Sequence, residues 1–221
     1  MKHLTLFISL MLFTSCSVVN VSNLAPGYTE AFNSVYSYFK SDKTNNQITK
    51  ELIENIPYAS AIMSIGKGKD ALMILESKNT SSEYTWVSQD GIYLVFKSGK
   101  IVKTSGLENN LIETVSPAVQ YEKLLEEKSI SFLQYFSYDK PSLINLKVET
   151  TLTFLGKEKV VLYDTTKTMN LVEEKIKNEY LGWERVNRYW LDDDFIIQKG
   201  TQHISPKLPK FFFEITKKPA I

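Results

Sequence analysis

Downstream of Asp70 the chain alternates apolar and polar residues with a period of two, the pattern of strands that bury one face. The segments "ALMILES", "EYTWVSQ", "IYLVFKS" and "KIVKTSG" follow one another. Asp90-Gly91 and Ser98-Gly99 fall between neighbours and supply the positive φ that tight hairpins require. Together they predict a meander. Farther on, "INLKVETTLTFLG" predicts a long strand that turns at Gly156-Lys157 into "KVVLYDT". The segment "GWERVNRYWLDDDFIIQKGTQHI" predicts a hairpin closed at Asp192 to Asp194, and "KFFFEIT" a last strand.

Two stretches read both ways. "VQYEKLLEEKSISFLQYF" begins with helix formers and ends with strand formers; "LVEEKIKNEYLG" has helical propensity in a setting that argues for β. The period changes near the start, where Phe32, Val35, Tyr36 and Phe39 stand at i, i+3, i+4 and i+7, the stripe of an amphipathic helix over residues 28–41. A second short helix is expected over residues 49–55 and is ended by Pro57. "SIGKGKD" completes neither a dinucleotide-binding nor a P-loop pattern and reads as a turn. The fold class expected is mainly β: a single antiparallel open barrel or sandwich with one or two short N-terminal helices.

The N-terminus has a different logic. "MKHLTLFISLMLFTSC" places a short polar start before an apolar run of about ten residues, the plan of a secretory signal peptide and too short for a spanning helix. Small residues lead directly into Cys16, the one cysteine of the chain, as in a bacterial lipobox. Cys16 is therefore expected to be acylated and to become the first residue, with several acyl chains giving a firm anchor where one alone would hold marginally. Ser17 in place of Asp points to delivery to the outer membrane. Residues 1–15 are then a lipoprotein signal peptide, 16–27 a lipidated tether ending at Pro26-Gly27, and 28–221 a single mainly-β domain.

Composition narrows the chemistry. The 25 acidic residues are matched by as many basic ones once Lys2 leaves with the leader, and there is no Lys/Arg block, which argues against nucleic acid as a partner. The mature chain keeps one imidazole, His203, and no free thiol, so neither a zinc site nor a nucleophile–base pair is expected, and no cofactor. Asp192 to Asp194 lack the alternation of a calcium loop and read as a solvated turn. Twelve Tyr, twelve Phe and three Trp are the marked bias. Most should fill the core, but Trp86 and the cluster Trp183, Arg185, Arg188, Tyr189 and Trp190 are candidate binding residues for glycan or a protein partner, by stacking and cation–π contact. Alternation sets Trp183 and Arg185 on one face of their strand and Arg188 and Trp190 on the other.

Four blocks, "IPYASAIMSIGKG" (56–68), "WVSQDG" (86–91), "GKIVKTSGLENNLIE" (99–113) and "NRYWLD" (187–192), together resemble the YjbF/GfcB family of group 4 capsule polysaccharide lipoproteins. The resemblance implies a lipoprotein of the outer membrane, at its periplasmic face, from a gene set that makes or exports capsule or exopolysaccharide alongside an outer-membrane barrel protein. It implies no enzymatic activity. The expected partners are the membrane, through the acyl chains, and polysaccharide or the barrel protein. A polysaccharide-modifying hydrolase or lyase, and an assembly partner of the barrel protein, are the competing readings.

Overall fold

In the computed structural model, which describes residues 48–219 except Asp164, the alternating segments form twelve strands. They are β1 (Ser60–Ile65), β2 (Ala71–Lys78), β3 (Glu83–Ser88), β4 (Tyr93–Lys97), β5 (Lys100–Ser105), β6 (Leu111–Val115), β7 (Ser129–Tyr138), β8 (Leu143–Leu162), β9 (Thr165–Asn178), β10 (Trp183–Leu191), β11 (Ile197–Gln202) and β12 (Phe211–Lys217). Cys16, the leader, the tether and the expected helix over residues 28–41 lie outside the described residues. Helix α1 (Lys50–Asn55) is present, started by Thr49, whose Oγ1 accepts the Leu52 N–H at 3.3 Å.

All twelve strands belong to one antiparallel sheet, in which strands side by side are consecutive in sequence except where β12 pairs with β1. The outermost strands of the sheet are β5 and β6, themselves consecutive in sequence, so the sheet curls into a nearly closed barrel. Ser98 and Gly99 both take positive φ, 49° and 77°, and close β4 tightly onto β5. Inward residues of successive strands fill the interior: Trp86, Phe96, Phe213, Phe136, Val172 and Tyr189 share one core. Its rings meet edge to face, Phe96 and Phe213 at 5.0 Å and 87°.

The run "ALMIL" is apolar on both parities because β2 is covered on both sides. Met73 and Leu75 face the barrel core, while Leu72 and Ile74 join Val87 in a second cluster beneath Leu52 of α1 and Ile56, the residue that caps its C-terminus. The helix thus packs on a sheet face.

One expectation is corrected. The strand of "INLKVETTLTFLG" does not turn at Gly156; β8 continues to Leu162, and Gly156, with φ 105°, sits at a bulge where the register to β9 shifts. A single glycine within an alternating run relieves a bulge as readily as it makes a turn. Strands β1 and β6 were not foreseen. β1 lies in a block to which the pattern assigns no element, and β6 has five residues of which only Leu111 is buried. "VQYEKLLEEKSISFLQYF" is helix first and strand after, as its two halves suggest: a 3₁₀ turn at Tyr121–Lys123, then α2 (Leu124–Glu127), then β7. Tyr121 and Leu124 are buried in the core, so this segment plugs the side where β5 and β6 part.

Candidate functional site

Alternation along β9 turns Val172, Glu174 and Ile176 inward, and Glu174 is 1 % exposed. A carboxylate there must be compensated. Its Oε1 pairs with the Lys100 ammonium; its Oε2 accepts from Asn187 Nδ2 and from the Tyr189 hydroxyl, each at 2.8 Å. Asn187 is the cross-strand neighbour of Glu174 on β10, whereas Lys100 arrives from the start of β5 across the barrel. The Lys100 ammonium also stands 5.7 Å from the centre of the Tyr189 ring. Burial, and then the charge of Glu174, push the Tyr121 and Tyr189 phenols above their ordinary range.

The network continues to His203. Asn187 Oδ1 accepts the His203 backbone N–H at 2.7 Å and lies 3.0 Å from its Nδ1. Burial, and then the charges of Arg185 and Lys210, hold the imidazole below its usual pKa.

Beside this centre a cavity of about 170 Å³ opens along the seam between β5 and β6, bounded by Lys97, Lys100, Thr114, Tyr121, Gln202 and His203 among others. At one end of the seam the strands are tied, the Leu111 N–H donating to Thr104 Oγ1 at 2.9 Å. Nearer the cavity a side chain replaces the missing strand: Gln202 Oε1 accepts the Ile101 N–H and Gln202 Nε2 donates to the Ile101 carbonyl, both at 2.9 Å. Its amide satisfies the edge of β5 as a peptide group would.

The candidate residues chosen from sequence are dispersed. Trp86 and Trp183 are each 3 % exposed, edge to face with Phe96 and Phe136 respectively. Tyr189 is inward and belongs to the Glu174 centre. Arg185 is exposed and donates to the Glu184 carbonyl; exposed Arg188 pairs with Glu173 at 3.2 Å. Trp190 is outward, its indole N–H tied to Glu158 on β8, beside a shallow groove with Lys199, Phe212 and Glu214. Asp192 serves its turn, accepting the Ile196 N–H at 2.9 Å. Among the described residues no three His, Cys, Asp or Glu side chains gather to hold a metal ion. The pattern missed Lys100, Glu174, Asn187 and Gln202. Polar residues at inward parity of strands were the usable signal, and two resemblance blocks contained Lys100 and Asn187.

Comparison with known proteins decides the family. The family described as "Group 4 capsule polysaccharide lipoprotein gfcB, YjbF" matches residues 28–216. The chain belongs to this family. It is 24% identical over 163 residues to the uncharacterized lipoprotein YjbF of Escherichia coli K12, covering 72% of this chain and 74% of the relative. To the uncharacterized lipoprotein GfcB of the same organism it is 20% identical over 172 residues, 75% of this chain and 80% of that one. The crystal structure of the hypothetical lipoprotein YmcC from Escherichia coli K12 superposes with a TM-score of 0.66 at 18% identity, over 83% of this chain and 96% of that one. The last likeness is one of fold.

Proposed function

We propose that this member of the capsule polysaccharide lipoprotein family is a non-catalytic accessory in the export or assembly of a surface polysaccharide, held at the periplasmic face of the outer membrane by acyl chains on Cys16. The observation that carries the reading is the match of the family over residues 28–216, directly downstream of a lipobox-like cysteine. A tether of residues 16–27 spans at most roughly 40 Å when extended, enough to let the barrel stand clear of the headgroups.

Deletion of the gene is expected to lower secreted polysaccharide, and Cys16→Ala to do the same while moving the protein from the membrane to the soluble periplasmic fraction. Undiminished secretion with the unanchored variant would remove the anchor from the mechanism. Shortening of the cognate polymer by purified protein, seen as a fall in viscosity, would replace the accessory with an enzyme.

A further inference from the structure

We infer that the cavity at the β5–β6 seam is a binding site for one acidic sugar residue, its carboxylate held by Lys97 and Lys100 and a ring oxygen by the Thr114 hydroxyl. The acidic group follows from the cavity's own chemistry; that a sugar carries it rests on the proposed function.

The polar groups that line the cavity are largely committed. Glu174, its one carboxylate, spends one oxygen on Lys100 and the other on Asn187 and Tyr189. Gln202 spends both ends of its amide on Ile101, and Asn187 both ends on Glu174 and His203. Gln134 donates to Thr150 at 2.8 Å. What remains is a surplus of donors. Lys97 has no ion-pair partner among the described residues. Lys100 carries three donors and gives one to Glu174. The Thr114 Oγ1 is buried with no hydrogen-bond partner, a state that costs stability unless a ligand or water relieves it.

Two cations against one committed carboxylate, with an unmatched hydroxyl beside them, ask for a ligand rich in acceptors and bearing negative charge. The size sets a limit. About 170 Å³ exceeds several times the ~30 Å³ share of a water molecule, enough for a single ring and too little for a polymer segment. Tyr121 and Phe136 add apolar wall for the C–H face of such a ring. The Glu174 centre then acts as the floor that fixes Lys100. Its partners lie on β5, β9 and β10, so the ammonium is positioned by rigid strands.

The test is an NMR titration of the mature protein with glucuronate, glucose and inorganic phosphate, repeated on Lys97→Gln and Thr114→Val, neither of which touches the Glu174 centre. Glucuronate should shift the amides of Lys100, Thr114 and His203, with glucose roughly tenfold weaker and Lys97→Gln costing about as much, as expected for one charge-assisted contact. Lys97→Gln should keep the wild-type urea midpoint and Thr114→Val should keep or raise it, since it removes an unpaired buried hydroxyl, so that lost binding reports the site and not the fold. Equal binding of glucose, no shift with glucuronate at its solubility limit, or indifference to both substitutions would overturn the site. Phosphate binding as tightly as glucuronate would overturn the sugar assignment. A failed titration alongside reduced secretion in the deletion strain leaves the accessory role standing, whereas good binding alongside normal secretion sinks the role and keeps the site.

Discussion

At the scale of the residue, Glu174 is the most consequential side chain in the barrel, because three donors converge on a carboxylate that is closed to water. Glu174→Ala leaves the Lys100 ammonium, the Asn187 amide and the Tyr189 hydroxyl without their acceptor, and should cost about 3–5 kcal/mol in urea unfolding. Adding Lys100→Met should recover part of that loss, since the buried charge without a counter-ion is then gone. Failure of the second substitution to recover anything would mean that packing, not charge, sets the cost. His203 supplies the pH dependence. Its pKa in the folded protein lies below the ordinary value of about 6.5, so the unfolded chain binds the proton more readily. The stability that this depression contributes is complete above about pH 6.5 and is lost as pH falls through the folded value. Burial raises the Glu76 carboxyl, which acts with the opposite sign above its usual range and is unchanged by a substitution at 203. The melting temperature of the wild type should therefore fall from about pH 6.5 toward pH 5 more steeply than that of His203→Gln, and parallel curves would assign the slope elsewhere.

At the scale of the element, the sequence was most legible where local geometry decides. Ser98-Gly99 demanded a hairpin, and Thr49 and Pro57 bracketed a helix. It was least legible where tertiary contacts decide. Nothing local distinguishes Gly156 at a bulge from Gly156 in a turn, and the short strand β6 exists because β7 is there to pair with it. The site was hidden for a related reason: Lys100, Glu174 and Asn187 are unremarkable polar residues until a closed sheet folds β5 over β9 and β10. The aromatic count drew attention to Trp86 and Trp183, and it is the core that uses them. Gln202 shows how one side chain can complete an element. Gln202→Leu keeps the volume and removes both bonds to Ile101, leaving a buried N–H and a buried carbonyl unpaired, so a loss of about 1–3 kcal/mol is expected. Hydrogen exchange is the decisive measurement: the Ile101 amide should exchange much faster while amides of the β8–β9 ladder keep their protection, and unaltered exchange at Ile101 would show that water or backbone had taken over the bridge.

At the scale of the whole molecule, order in the chain and order in the sheet diverge at one place. Strand β12 is last in sequence yet central in the sheet, pairing with β1 on one side and β11 on the other, so the barrel is joined into one body only when the C-terminus arrives. Phe211 and Phe213 of this strand enter the core between Phe96 and the β11 residue Gly200, which has no side chain to obstruct the Phe213 ring. Without β12 the strands from β1 to β5 and those from β6 to β11 are two open sheets, joined by no strand pairing and held by the β5–β6 connection, the plug of Tyr121 and Leu124, and side-chain bonds such as Gln202–Ile101 and Lys100–Glu174. Each would expose unpaired edges and half of a common core. A chain ending at Pro209 should therefore show no cooperative thermal transition and should be degraded by protease throughout. The matching control is removal of residues 158–168, the far part of the β8–β9 hairpin, where β8 has run beyond its pairing with β7. That shortened chain loses the Trp190–Glu158 and Lys199–Val161 bonds but keeps every barrel strand, and should still unfold in a single transition. If instead the chain without β12 retained a protected, cooperatively melting half, the barrel would be two folding units joined late, and the Glu174 centre, which takes Lys100 from one half and Asn187 from the other, would be an interface between them.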